Sequence, residues 1–176
     1  EPHEPSRRQR QMCIRDRRDV IEASRSGMEF EKVQDWFRGI ASGVRHLHNH
    51  GIVHRDLKPG NIFWDEDERV VKIGDYGLSK LMSAGRLSGQ TESVGTFHYM
   101  APEIGRGIYG NEIDLYALGI ILYEMLTGQV PFDGESSQEI MMKHLTAEPE
   151  LSCLQGGVRT LIEKSLSKDP DRRYEN

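Results

Sequence analysis

Asp56, Lys58 and Asn61 are the residues of this chain whose types and spacing could do chemistry together. They sit in the stretch His54-Arg55-Asp56-Leu57-Lys58-Pro59-Gly60-Asn61, a loop kept tight by Pro59 and Gly60. The set suits phosphoryl transfer. A carboxylate can accept the proton of an attacking hydroxyl, a lysine can neutralise the transferring phosphate, and a neutral oxygen ligand can help hold Mg²⁺ against other phosphate oxygens. A lone aspartate is more often a turn residue than a base. The complete loop reverses that reading of Asp56.

The elements around this loop follow from periodicity. Val33, Trp36, Phe37, Ile40, Val44 and Leu47 recur at steps of three and four, which predicts a helix over 29–49 with one buried face, ended by Gly51. Ser26 with Glu29 fits a capping box at its start, and residues 18–26 read as a short helix before it. Ile52-Val53 reads as a short strand entering the loop. Residues 62–64 and 70–73 read as two strands joined by an acidic turn over 65–68. Asp75-Tyr76-Gly77 follows, then a Gly- and Ser-rich loop over 78–100, of a length that usually carries function. Residues 114–127 are apolar on nearly every side, which predicts a helix in the middle of a core, ended by Gly128. Further helices are expected over 136–145 and 158–166, the last before Asp169-Pro170.

Composition excludes several classes. A net charge of −5 argues against a nucleic-acid binder, and no apolar run approaches the length of a membrane span. Cys13 and Cys153 form neither a disulfide framework nor a metal-like spacing, which suits a reducing, cytoplasmic setting. Hydrophobic residues at 36% and charged residues at 29% fit a globular domain of one core. Residues 1–17 differ: they are polar, rich in Arg and Pro, and without periodicity. Residues 11–17 resemble the translation of a transposon-end adapter used in DNA library preparation. The segment is set apart from the domain as non-native or as a disordered tail.

From residue 18 onward the sequence resembles the C-terminal lobe of a protein kinase. Three motifs stand in the family's order: the loop from His54 to Asn61, Asp75-Tyr76-Gly77, and Ala101-Pro102-Glu103. Lys58 at its place after Asp56 resembles serine/threonine kinases rather than tyrosine kinases, and the wording over 75–80 resembles the bacterial ones. The resemblance implies an α+β fold, mostly helical, with a small β-hairpin region by the catalytic loop. It implies ATP and Mg²⁺ as cofactors and protein Ser/Thr hydroxyls as acceptors. On this reading Asp56 accepts the proton, Lys58 contacts the γ-phosphate, and Asn61 and Asp75 bind Mg²⁺. Thr96 bonds near Asp56 and Lys58. Arg55 implies docking of a phosphorylated activation loop, with Ser88, Thr91 and Ser93 as candidate phosphosites. Glu103 and Arg173 imply a structural ion pair, and Asp114 an anchor for the catalytic-loop backbone.

Several features depart from the family or imitate it. Tyr76 stands where Phe is usual and adds a hydroxyl that needs a partner. Gly105-Arg106-Gly107-Ile108-Tyr109-Gly110 is a formal G-x-G-x-x-G, but it follows Ala101-Pro102-Glu103 and not a strand, so it is no phosphate loop. The stretch Val70-Val71-Lys72-Ile73 leads into Asp75-Tyr76-Gly77, where the family has an ordinary strand, so Lys72 is not the ATP-phosphate lysine. His46, His48, His50 and His54 cluster in nine residues, but spacings of two on a helix put neighbouring side chains on different faces, so they are read as no metal site. The Gly-rich loop, its lysine and the hinge that form the N-lobe have no counterpart in the sequence. The chain is therefore expected to be a C-lobe cut at both ends, slow in phosphotransfer by itself. The rival expectation is a kinase-like module that binds a partner without catalysis.

Overall fold

The computed structural model describes residues 14–16, 27–65, 68–75 and 94–175. Its backbone runs β1 (Ile14–Asp16), α1 (Phe30–Asn49), β2 (Ile62–Asp65), β3 (Val70–Ile73), α2 (Val94–Phe97), α3 (Glu112–Thr127), α4 (Ser137–Thr146) and α5 (Gly156–Ser165). Among the described residues, three short 3₁₀ turns, Pro59–Asn61, Pro102–Arg106 and Pro170–Arg172, each start on a proline whose fixed φ suits the first helical position. The sheet is antiparallel in the order β1-β2-β3. β2 and β3 form the expected hairpin, in a register that pairs Ile62 with Ile73 and Asp65 with Val70. β1 adds a third strand, Ile14 opposite Asp65, inside the segment where no element was expected. Among the described residues no helix is long and apolar enough to cross a membrane.

The core is built on α3. Tyr116, Ile120, Ile121 and Met125 are fully buried on different sides of it, which only a central helix allows. α1 and α5 pack on its flanks and α1 carries β3 on its other side. Two glycines make that last contact possible. A Cβ at Gly39 would stand 2.7 Å from Val71 Cγ2, and one at Gly43 2.8 Å from Ile73 Cδ1. Bare backbone at both places lets the strand lie directly on the helix. The same strand then delivers Gly74 and Asp75 to the catalytic loop.

Local expectations differ from the structure in places, each for a physical reason. Ile52-Val53 is no strand, because the Ile52 amide donates back to the Leu47 carbonyl at the end of α1 (3.0 Å). α1 begins after Glu29 with no side-chain cap, and Ser26 lies outside the described residues, as do the helix expected over 18–26 and the middle of the 65–68 turn. A related cap occurs at α4, with the return bond one residue before the N-cap Ser136. Ser136 Oγ accepts from the Glu139 amide (3.2 Å), and Glu139 Oε2 accepts from the Glu135 amide (3.0 Å). α3 starts at Glu112, two residues before the expected start. The G-x-G imitation is a structural stop: Gly107, at φ 77°, closes the 3₁₀ turn of Pro102–Arg106 in the left-handed region that favours glycine.

Candidate active site

Four of the sequence-derived residues meet at one point. Lys58 Nζ donates to Asp56 Oδ1 (3.0 Å) and to Thr96 Oγ1 (3.2 Å). Asn61 Nδ2 donates to the Asp56 carbonyl (2.7 Å) and to Asp56 Oδ2 (3.0 Å). Thr96 arrives on α2, thirty-eight residues beyond Lys58. Asp56 is thus held on both carboxylate oxygens, and only about a fifth of its side chain faces solvent.

The loop that holds them is strained and clamped. Arg55 and Asp75 are non-glycine residues with positive φ, 69° and 58°. Such residues cost about 1–3 kcal/mol each and persist only where their surroundings fix them. Here the fixing groups are visible. Asp114, at the start of α3 and 1% exposed, accepts from the His54 amide (2.7 Å), the Arg55 amide (2.9 Å) and the His48 ring (2.8 Å). His54 bridges to the second strained point. Its Nδ1 accepts from the Asp56 amide (3.3 Å), which leaves Nε2 to donate to the Gly74 carbonyl (2.8 Å). The Gly74 amide in turn donates to the Asn61 carbonyl (2.9 Å), so Asp75 is registered against the loop by two bonds at its neighbour.

The donor set fits Mg²⁺. Asn61 spends its amide nitrogen on Asp56, and its Oδ1 makes no hydrogen bond among the described residues. Asp75 is an exposed carboxylate at the end of β3. Among the described residues no three His, Cys, Asp or Glu side chains converge as a metal cage. An amide oxygen and one carboxylate are the sparse ligands Mg²⁺ takes when phosphate oxygens and water complete its shell.

The remaining sequence-derived residues fall into place around this core. Arg55 lies over the Tyr109 ring (5.2 Å). Glu103 and Arg173 meet in a buried fork, Nη1 to Oε1 at 2.5 Å and Nη2 to Oε2 at 2.9 Å. Ser88, Thr91, Ser93, Tyr76 and Gly77 lie outside the described residues. Lys72 is taken up by Asp65 (2.7 Å) and Glu68 (3.0 Å) at the exposed hairpin. A groove of about 1290 Å³ runs between α1 and the hairpin, past Trp36, Trp64 and Val71, but none of Asp56, Lys58, Asn61 and Asp75 lines it.

Sequence reasoning missed His48. It weighed His46, His48 and His50 only against a metal site. The available signal was position: His48 stands four residues after Val44 on the buried stripe of Val33, Ile40 and Val44. A buried imidazole needs a partner, and Asp114 is that partner.

A family model described as "Protein kinase domain" matches residues 11–175. The chain is 40% identical over 142 residues to serine/threonine-protein kinase PrkC of Bacillus subtilis, an alignment covering 77% of this chain and 22% of that protein. It is 40% identical over 141 residues to the probable serine/threonine-protein kinase PknB of Lactococcus lactis, again 77% of this chain and 22% of the other. A fungal relative, calcium/calmodulin-dependent protein kinase cmkB of Emericella nidulans, is 39% identical over 159 residues, 85% of this chain and 39% of that protein. The chain thus spans between about a fifth and two fifths of the length of these relatives. Match, motifs and geometry agree that the chain belongs to the protein kinase family, on its serine/threonine branch.

Proposed function

We propose that the chain is the helical lobe of a serine/threonine protein kinase that transfers the γ-phosphoryl group of ATP to Ser and Thr hydroxyls of proteins. The observation that carries this reading is the Asp56–Lys58–Thr96–Asn61 constellation, since a binding module needs none of its four members in contact. Mg·ATP, when bound, supplies the phosphoryl group and the metal charge that offsets its developing negative charge. Asn61 and Asp75 hold that metal. Asp56 Oδ accepts the hydroxyl proton as the acceptor oxygen attacks. Lys58 balances charge on the transferring group while its bond to Thr96 keeps the ammonium from collapsing wholly onto Asp56. The strained Arg55 peptide, clamped by Asp114, fixes the carboxylate's direction.

Regulation fits the same loop. Arg55 adjoins the proton acceptor, and a phosphate on Ser88, Thr91 or Ser93 would pair with its guanidinium. Acidic net charge and the exposed free Cys153 suit a cytoplasmic protein. In the protein that carries this chain, incubation with labelled ATP, Mg²⁺ and a mixed peptide library is expected to yield phosphoserine and phosphothreonine and no phosphotyrosine. Label on tyrosine alone, or none in any peptide, would overturn the assignment.

A further inference from the structure

Steps of two set neighbouring histidines on different faces of α1, but His46 and His50 are four apart and share one. That is the spacing with which a helix presents two zinc ligands on one side. The structure brings the two rings together. Their centroids are 4.4 Å apart and their planes are tilted by 43°. His46 lies in the last turn of α1 and is half-buried, and His50 caps the helix and is exposed. Both border the groove between α1 and the hairpin, so an ion can reach them from solvent. His48, between them in sequence, turns the other way into the core, to Asp114.

The hydrogen bonding decides what the pair can do. His50 Nδ1 lies 2.8 Å from the His46 carbonyl. A carbonyl can only accept, so Nδ1 carries the proton and donates. In the neutral ring Nε2 then holds an unshared pair. A ring that gives its other N–H to a backbone carbonyl is the usual state of a metal-ligating histidine, because that bond fixes tautomer and orientation together. Among the described residues the His46 ring makes no hydrogen bond, so its nitrogens are open to an ion as well. The backbone adds to this. The last carbonyls of a helix carry partial negative charge, which favours a cation at that end.

We propose that His46 and His50 form a two-histidine site for a divalent transition ion of the Zn²⁺ and Cu²⁺ class. One ion, about 2.0–2.1 Å from a nitrogen of each ring, bridges the pair, and water completes its shell. Imidazole suits such ions, whereas Mg²⁺ takes oxygen ligands, so this site is distinct from the Asn61 and Asp75 pair. The ion staples the last turn of α1 to the residue after it. In that turn the Gly51 amide donates to the His48 carbonyl (2.9 Å) and the Ile52 amide to the Leu47 carbonyl (3.0 Å). The staple therefore firms the stretch from which the chain enters the His54 loop. The site stands independently of the kinase reading.

The test titrates the chelator-treated full protein with Zn²⁺, following heat and the imidazole ¹H–¹⁵N signals, for wild type, His46→Gln and His50→Gln. Neither residue is in the core, so both variants are expected to fold. Each is expected to bind Zn²⁺ at this site at least about tenfold more weakly, since even the loss of a group behind a ligand costs that much. In wild type, Zn²⁺ should shift the His46 and His50 ring signals and slow hydrogen exchange at the Gly51 and Ile52 amides. Cu²⁺ should displace it and a large excess of Mg²⁺ should not. Unchanged Zn²⁺ affinity in either variant, or displacement by Mg²⁺, would overturn the proposal. Should a variant not fold, the wild-type ring signals decide: shifts at both rings support the site, and shifts at one or neither end it.

Discussion

An Arg173→Ala variant is expected to lose about 3–5 kcal/mol of folding stability, the cost of leaving a buried charge unpaired. The Arg173 and Glu103 side chains are 0% and 4% exposed. The guanidinium forks onto both Glu103 oxygens, donates to the Glu112 carbonyl (2.9 Å) and the Ser167 carbonyl (2.8 Å), and lies 4.7 Å over the Tyr116 ring. One side chain thereby joins the turn after the activation segment, the start of α3 and the end of α5. Truncation strands the Glu103 carboxylate in the core together with two acceptor carbonyls. Urea unfolding should show a lower midpoint at unchanged slope. Arg173→Lys should recover only part of the loss, because an ammonium cannot fork. A loss under about 1 kcal/mol for the alanine variant would mean the fork carries no structural weight.

Asp114→Asn is expected to damage activity and stability together. The change is nearly isosteric, but one of two acceptor oxygens becomes an NH₂ that faces a donor. The His54 and Arg55 amides and the His48 ring compete for the one oxygen left. A buried donor without an acceptor costs about 1–3 kcal/mol. The lost bond also releases the strained Arg55 backbone, whose relaxation turns Asp56 away from the acceptor. Phosphotransfer should fall at least about a hundredfold, since small displacements of a reacting group cost on that order. The fall should appear in kcat, with the KM for ATP little changed. Full activity with the asparagine would show that the loop holds its shape without the carboxylate.

How much of this was legible in the sequence depends on distance along the chain. The catalytic loop could be read directly because its chemistry is packed into eight consecutive residues. The hairpin and the four helices α1, α3, α4 and α5 were expected where they stand, with ends off by one or two residues, because fraying and capping decide ends locally. The pairing of Glu103 with Arg173, seventy residues apart, was reachable only through resemblance, since no local rule brings them together. Ile52-Val53 had strand-forming residues but no strand beside them, so tertiary hydrogen bonding overrode propensity. The polar groups inside the core were hardest to see. His48 and His144 each stand four residues after a buried aliphatic, Val44 and Ile140, on the inner face of a helix. Periodicity marked the α1 face as buried. It could not say that Asp114 and Tyr116 would be waiting there.

The central claim is that Asp56 is the proton acceptor in a loop built for phosphoryl transfer. Its most direct test is the transfer rate from labelled ATP to a Ser/Thr peptide, measured for the full protein and its Asp56→Asn variant side by side. Asparagine keeps one acceptor oxygen, which Lys58 and Asn61 must share, so the chain should still fold with a modestly lower thermal midpoint at this partly exposed site, but the amide cannot take a proton. The account predicts a rate lower by about 10²–10⁴. Equal rates from two equally folded proteins would contradict it.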